Sequence, residues 1–399
     1  LKMIQNYSRI ALPLKISFLI FSMVLNCMGV IILQLSATNI SYTNLGFLEA
    51  FKDLPIAIFS LFAATFINRF GSKTSLIFSL LIVAICCILL PFVGGFWFFK
   101  LWFAIIGISF SVAKISVYGI LRNNILQEIP LAKVMSSVEA SFMIGIFVVN
   151  IGFGWLISSP YSEYWKFGFW IISLLAFANV FLLMKTEVLA DAEHSQIFSF
   201  SEITGFFNRK YLLFFLIIFS IVFIEQNFNS WLPSFYKKHL NVNSFFALQA
   251  SAFLALFSYI GRIVTARIIQ HFSLARYFIG CTIAILLMLF LFQTLVTNGY
   301  LQITLFIFPL IGLFLSPLYP VISSQTINHI RKAEIHLFTS LIVIFSSLGS
   351  SVGSVIMSYV FQFEYGGYYA LFISGAVIVL LLLSFIYFRS YVSKKENNY

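Results

Sequence analysis

Charge is scarce in this 399-residue chain: Asp, Glu, Lys and Arg make up 9% of it, and only 13 residues are acidic. A water-soluble domain carries roughly a quarter of its residues as charges, so a soluble globular protein is excluded. Cysteine is scarce as well. Cys27, Cys86, Cys87 and Cys281 all lie in apolar segments, as one adjacent pair and two distant singles. That spacing fits neither a metal site nor a disulfide framework and reads as core packing. The five histidines, His194, His239, His271, His329 and His336, fall in loops or at the ends of apolar runs, which leaves no buried imidazole relay. No G-x-x-x-x-G-K-[ST] run is present to cradle a nucleotide phosphate, and no nucleophile–base pairing stands out. The chain is therefore read as a non-enzyme with no cofactor and no metal. No cleavable signal peptide is expected, because the first apolar run is long and the stretch from Asn39 to Asn44 lacks a small-residue cleavage site.

Apolar length is what the chain has in excess. It is 61% hydrophobic, with 50 phenylalanines and a mean hydropathy of +1.00. A membrane span needs about 20 apolar residues. Twelve runs meet that length: 16–36, 44–67, 74–93, 98–121, 133–157, 166–184, 211–235, 245–268, 277–297, 301–327, 337–362 and 367–389. Pro55, Pro233, Pro309, Pro317 and Pro320 fall inside these runs, where membrane helices tolerate them as kinks. The expected fold is an all-α membrane protein of about twelve transmembrane helices.

The net charge of +11 does not point to nucleic acid, because the basic residues are scattered singly among apolar runs. They carry orientation instead. With the N-terminus inside, seventeen basic residues fall on inner segments, and only Lys100, Lys166, Lys237 and Lys238 fall on outer ends. Such a positive-inside bias predicts cytoplasmic termini, and the helical spans without a targeting signal predict residence in the cytoplasmic (inner) membrane. The longest polar interruption, KTEVLADAEHSQIFSFSEITGFFNRK at 185–210, separates six spans from six. It divides the chain into a six-helix half at 1–184, a cytoplasmic linker at 185–210 and a six-helix half at 211–399. A short interfacial helix is expected around 198–207.

The halves resemble each other. The turn Asn68-Arg69-Phe70-Gly71 has a counterpart at Gln270-His271-Phe272-Ser273, an offset of 202, and the pair Gly107 and Ser111 recurs as Gly312 and Ser316, an offset of 205. A duplicated six-helix unit is a common plan for transporters. The stretch Ala64-Thr65-Phe66-Ile67-Asn68-Arg69-Phe70-Gly71-Ser72-Lys73 resembles the loop between the second and third helices of the major facilitator superfamily, written G-x-x-x-D-R-x-G-x-R/K. Arg69, Gly71 and Lys73 match, while Ala64 replaces the glycine and Asn68 the acid. The tenth run, with Gly312, Ser316, Pro317, Tyr319, Pro320, Ser323, Ser324 and Gln325, is similar to the equivalent helix of the fucose-permease-like sugar branch. The acid that this branch carries in its first helix is absent here, where Asn26 and Gln34 stand instead. The resemblance implies two pseudo-symmetric six-helix halves. It also implies that helices one, four, seven and ten line a central cavity, flanked by helices two, five, eight and eleven. By that placement Asn26, Gln34, Lys114, Tyr118, Glu225, Asn229, Tyr319 and Ser323 lie on cavity helices, and Glu49, Asp53, Glu139 and Arg262 on gating helices. Asn68, Arg69, Gly71 and Lys73 form the conformational loop.

Ionisable residues at membrane depth mark function or obligatory pairing. On a helix Glu49 and Asp53 are i and i+4, with Lys52 beside them, so the trio is either a proton site or an ion pair that fixes packing. In the fourth run Lys114, Tyr118 and Arg122 share a face. Lys114 can attract an anionic substrate or neutralise Glu139 or Asp53, and Glu139 can pair with Lys114 or with Arg262. The seventh run holds Glu225-Gln226-Asn227-Phe228-Asn229-Ser230-Trp231, a polar patch suited to a hydroxyl-rich solute, with Glu225 and Asn229 the foremost contacts. Tyr319, Ser323 and Gln325 are further candidates.

These residues predict a monomeric secondary transporter in the lipid bilayer. It would move a small polar organic solute, a sugar or an organic anion, by alternating access in proton-coupled symport. Glu49, Asp53, Glu139 and Glu225 are the coupling candidates, and Lys52, Lys114 and Arg262 the buried counter-charges. The alternative is proton-driven efflux of amphipathic compounds. A non-transporting receptor is disfavoured, because a static scaffold has no need to retain buried charges.

Overall fold

In hydrocarbon every backbone amide must be satisfied internally, so apolar runs of this length fold as helices. A computed structural model describes residues 2–36, 40–125, 128–188, 205–268, 271–327 and 335–396. Among these, eleven segments are long and apolar enough to cross a membrane. The helix Tyr42–Phe70, 29 residues long, occupies the position of the remaining expected span. The twelve expected spans are thus all helical. The interfacial helix expected around 198–207 lies almost wholly outside the described residues; the chain resumes as a turn, and Asn208 caps the seventh span by accepting from the Tyr211 amide at 3.1 Å.

The expected prolines act unequally. Pro55 and Pro233 sit inside continuous helices, Tyr42–Phe70 and Arg209–His239. The tenth span is instead broken into Leu301–Ile307, a 3-10 turn at Phe308–Leu310, Ile311–Leu315 and Leu318–Ile327, with Pro309 and Pro317 at the breaks. The first span breaks with no proline at all: Lys2–Leu25 ends, and Met28–Ser36 begins after Asn26 and Cys27. Asn26 Nδ2 donates to the Ser22 carbonyl at 3.0 Å and Cys27 Sγ to the Val24 carbonyl at 3.0 Å. Side chains that bond backward in this way compete with the helical ladder.

Contacts divide the chain into two units: Leu1–Met28 with Phe51–Ile197, and Gly29–Ala50 with Phe198–Tyr399. Within the first unit the first span packs chiefly on the fifth, and within the second the seventh packs chiefly on the eleventh. Both crossings run over glycine. A Cβ on Gly145 would meet the Leu19 carbonyl oxygen at 2.6 Å, and one on Gly349 would meet the Phe219 carbonyl oxygen at 2.3 Å. The fourth span meets the second at Gly107, where a Cβ would lie 2.3 Å from the Lys52 carbonyl oxygen; the tenth meets the eighth at Gly312, 2.6 Å from that of Leu254. Short 3-10 turns precede the sixth and twelfth spans, at Ser162–Gly168 and Tyr365–Tyr368. The glycine crossings thus recur in each unit, although the units do not coincide with the expected halves: Gly29–Ala50, from the N-terminal half, groups with Phe198–Tyr399.

Backbone cannot retreat as a flexible side chain can, so Gly107→Ala and Gly312→Ala are each expected to cost about 1–3 kcal/mol. Both should lower the melting temperature of the purified protein. Gly152→Ala, at a position with nothing within 4 Å, should leave it unchanged.

Candidate functional site

The second span carries its three ionisable residues into the interior. Glu49, Lys52 and Asp53 are 0%, 4% and 4% exposed. Lys52 and Asp53 belong to the first unit, where Lys52 Nζ lies 3.7 Å from Asp53 Oδ1 and donates to the Leu25 carbonyl at 3.5 Å. Leu25 is the last residue of the first helical segment. The terminal carbonyls of a helix lack intrahelical donors and carry partial negative charge, so an ammonium is favoured there. The break at Asn26–Cys27 and the cation at Lys52 therefore explain each other. The smallness of Gly107 lets the fourth span lie against the Lys52 backbone.

Glu49 belongs to the second unit and has different company. Gln226 Nε2 donates to its Oε1 at 2.8 Å, and Ser230 Oγ donates to its Oε2 at 3.0 Å. Gln226 and Ser230 are i and i+4 on the seventh span and lie 2.9 Å apart. Close packing holds the helix start in place. A Cβ on Gly46 would meet Ser358 Cβ at 2.3 Å, and the Tyr42 amide donates to Gln362 Oε1 at 3.0 Å. The Tyr42 ring lies 6.2 Å from that of Trp231 and 5.7 Å from that of Phe361. Gly29 closes on the Asn229 carbonyl oxygen, where a Cβ would fit at only 2.9 Å. The expected trio is therefore two arrangements, a cation-paired Asp53 and a Glu49 bound by neutral donors.

The fourth and fifth spans hold the next group. Tyr118 donates to Glu139 Oε1. Lys114, half-buried on the same face, lies 5.9 Å from the Phe110 ring centroid. The expected pairing of Glu139 with Lys114 or Arg262 is not formed: among the described residues neither cation makes an ion pair, and the tyrosine takes the carboxylate instead. Arg262 is half-buried, and its Nε is a buried donor without a partner among the described residues. The Arg122 side chain lies outside the described residues.

The polar patch of the seventh span divides by burial. Asn229 is 9% exposed, whereas Trp231 is fully buried and donates to Ser354 Oγ at 3.0 Å. Asn227 is buried as well, and its carbonyl accepts from Tyr369 at 2.9 Å. Glu225 is half-buried, as are Gln34 and Tyr319. Asn26 is buried against its own helix, and Ser323 is 8% exposed. The Gln325 side chain is outside the described residues. Sequence reasoning found this patch but not that Gln226 and Ser230, spaced for one helix face, serve Glu49.

The loop after the second span folds as its motif requires. Gly71 has φ 80° and its amide bonds the Ile67 carbonyl at 2.7 Å, a left-handed helix end that favours glycine. Asn68 and Arg69 close the helix, and the Arg69 guanidinium lies 5.6 Å from the Phe70 ring. Lys73 Nζ donates to the carbonyls of Met184 and Thr186 at 3.2 and 2.8 Å, which places a cation at the end of the sixth span. In the second half Ser273 has φ −69° and caps the ninth span, so that turn has no need of glycine.

Comparison with known proteins agrees with this geometry. The family model described as Major Facilitator Superfamily matches residues 14–354. A D-xylose–proton symporter is similar in structure, with a TM-score of 0.76 at 14% identity, over 94% of this chain and 96% of that one. The nucleoside transporter NupG is similar at a TM-score of 0.70 and 15% identity, over 95% and 99%. A bacterial homologue of the human lysosomal transporter Spinster, in an inward-facing unoccupied conformation, gives 0.68 at 11% identity, over 96% and 95%. No curated protein matches the chain in sequence.

Removing one partner of a buried charge pair strands the other. Lys52→Met is expected to destabilise the protein by about 3 kcal/mol, and Lys52→Met/Asp53→Asn by clearly less. Thermal melts of the two variants check the ordering.

Proposed function

The chain belongs to the major facilitator superfamily, and on that premise we propose that it is a proton-coupled secondary transporter of a small polar organic solute. It is an integral membrane transporter and not an enzyme. The proposed cycle is alternating access, in the cytoplasmic membrane and with cytoplasmic termini, as the basic residues of the inner segments favour. The working unit proposed is a monomer.

The observation that carries the coupling is the hydrogen-bonded Glu49. Its carboxylate accepts from Gln226 and Ser230, two neutral donors, in bonds strengthened by its charge. Protonation removes that charge and weakens both bonds. The 29–50 segment then loses its polar tie to the seventh span, and rebinding follows when the proton leaves. Asp53 is the poorer candidate, because it is already engaged by Lys52 at 3.7 Å. The paired Lys52 and Asp53 serve instead as a fixed anchor on the end of the first helical segment. The half-buried polar groups Lys114 and Tyr118 of the first unit support a polar solute. A proton-coupled sugar carrier and a nucleoside carrier share the fold, which supports a polar cargo.

Efflux of amphipathic compounds is the competing reading, and one observation favours it. The half-buried rings of Phe110 and Phe142 lie 6.0 Å apart, backed by the buried Phe18, and offer an apolar binding surface.

Reconstituted protein decides between them. A thermal-shift screen of sugars, organic anions, amino acids, nucleosides and dyes first names a solute. Proteoliposomes with an inward proton gradient should then accumulate it. Glu49→Gln should abolish the gradient-driven part while retaining solute exchange at equal pH. Gradient-driven uptake that survives in Glu49→Gln would overturn the coupling assignment, and stabilisation by lipophilic cations alone would favour efflux.

A further inference from the structure

Among the described residues, Lys114 is a half-buried cation of the first unit with no ion-pair partner. It lies ten residues before the end of the helix Phe96–Asn124, inside the apolar segment Phe96–Leu121 that is long enough to cross a membrane, where an ionised side chain is costly. Its face is not turned to lipid. Phe110, one turn before it, packs against Phe21 and Phe142, and Tyr118, one turn after it, bonds Glu139 of the fifth span and packs against Phe18. Among the described residues Lys114 makes no ion pair and no hydrogen bond. The Phe110 ring is its one contact of electrostatic kind there. Glu139, the carboxylate on the neighbouring span, accepts from Tyr118 instead.

A half-buried ammonium at this depth needs a counter-anion. We infer that the transported solute supplies it: Lys114 binds a carboxylate or phosphate group of a small organic anion. The inference rests on the transport proposed above and narrows its substrate class. The neighbouring groups suit the rest of such a molecule. The Tyr118–Glu139 pair offers polar partners for solute hydroxyls, and the half-buried rings of Phe110 and Phe142, 6.0 Å apart, offer an apolar surface for its carbon skeleton. A hydroxylated acid or a sugar phosphate fits this set of groups. An uncharged sugar leaves the ammonium unmatched.

Matched neutral and anionic probes test the assignment on the purified full-length protein. The sets are glucose, glucuronate and glucose 6-phosphate; glycerol, glycerate and glycerol 3-phosphate; and adenosine with its monophosphate. At least one anion should raise the melting temperature while its neutral counterpart does not, and the responding member separates carboxylate from phosphate. Lys114→Gln should weaken that anion's apparent affinity by about 10-fold or more, the scale of a charged hydrogen bond. Lys114→Arg should retain most of it. The ligand-free melting temperature of Lys114→Gln should equal or exceed that of the wild type, since the change removes an unmatched membrane charge.

Three results overturn the assignment: a lower ligand-free melting temperature in Lys114→Gln, a panel in which no anion stabilises the wild type, or anion affinity unchanged by the substitution. Uptake separates this failure from failure of the wider proposal. Wild-type proteoliposomes that accumulate a neutral solute, equally well with Lys114→Gln, leave transport standing and remove the anion site. Proteoliposomes that accumulate none of the stabilising solutes remove transport itself.

Discussion

An ionised side chain inside a bilayer must find a partner there, and the second span meets that constraint in two ways within five residues. Lys52 matches Asp53 and also stabilises the end of a broken helix. Glu49, one turn earlier, is held by an amide and a hydroxyl. The division between the two contact units falls between Ala50 and Phe51, inside one continuous helix. The two carboxylates differ in the partners that geometry gives them: a lysine beside Asp53, an amide and a hydroxyl on Glu49.

Glycine sets the second constraint. At Gly107 and Gly312, and again at Gly145 and Gly349, a helix touches the backbone of its neighbour with no room for a Cβ. The crossings recur in each unit at equivalent places, so the duplicated architecture is a duplicated set of close approaches. The residues beneath the crossings differ. The crossing at Gly107 lies on Lys52, while its counterpart at Gly312 lies on Leu254. The same backbone contact carries a charge in one copy and an apolar side chain in the other.

Much of this was legible before any coordinates. Apolar length marked all twelve spans, because hydrocarbon leaves the backbone no alternative to a helix. The glycine of the Asn68–Lys73 motif was legible because its left-handed φ excludes most other residues, and the serine in the second copy adopts a φ of −69°. The break at Asn26 was not, since it arises from side chains bonding backward rather than from proline. Glu49 and Asp53 share a helix face in the sequence pattern, but their partners are set by chain packing. Gln226 is 177 residues from Glu49, and no local periodicity links them. The same holds for Tyr118, read as a cavity residue and found bonded to Glu139.

The central claim is that Glu49 is the side chain that takes up the coupling proton. Infrared difference spectroscopy of the reconstituted protein on acidification observes it most directly, through the carbonyl stretch of a newly formed carboxylic acid. The account predicts such a band in the wild type, absent in Glu49→Gln and retained in Asp53→Asn. A band that disappears with Asp53→Asn and persists in Glu49→Gln would contradict it.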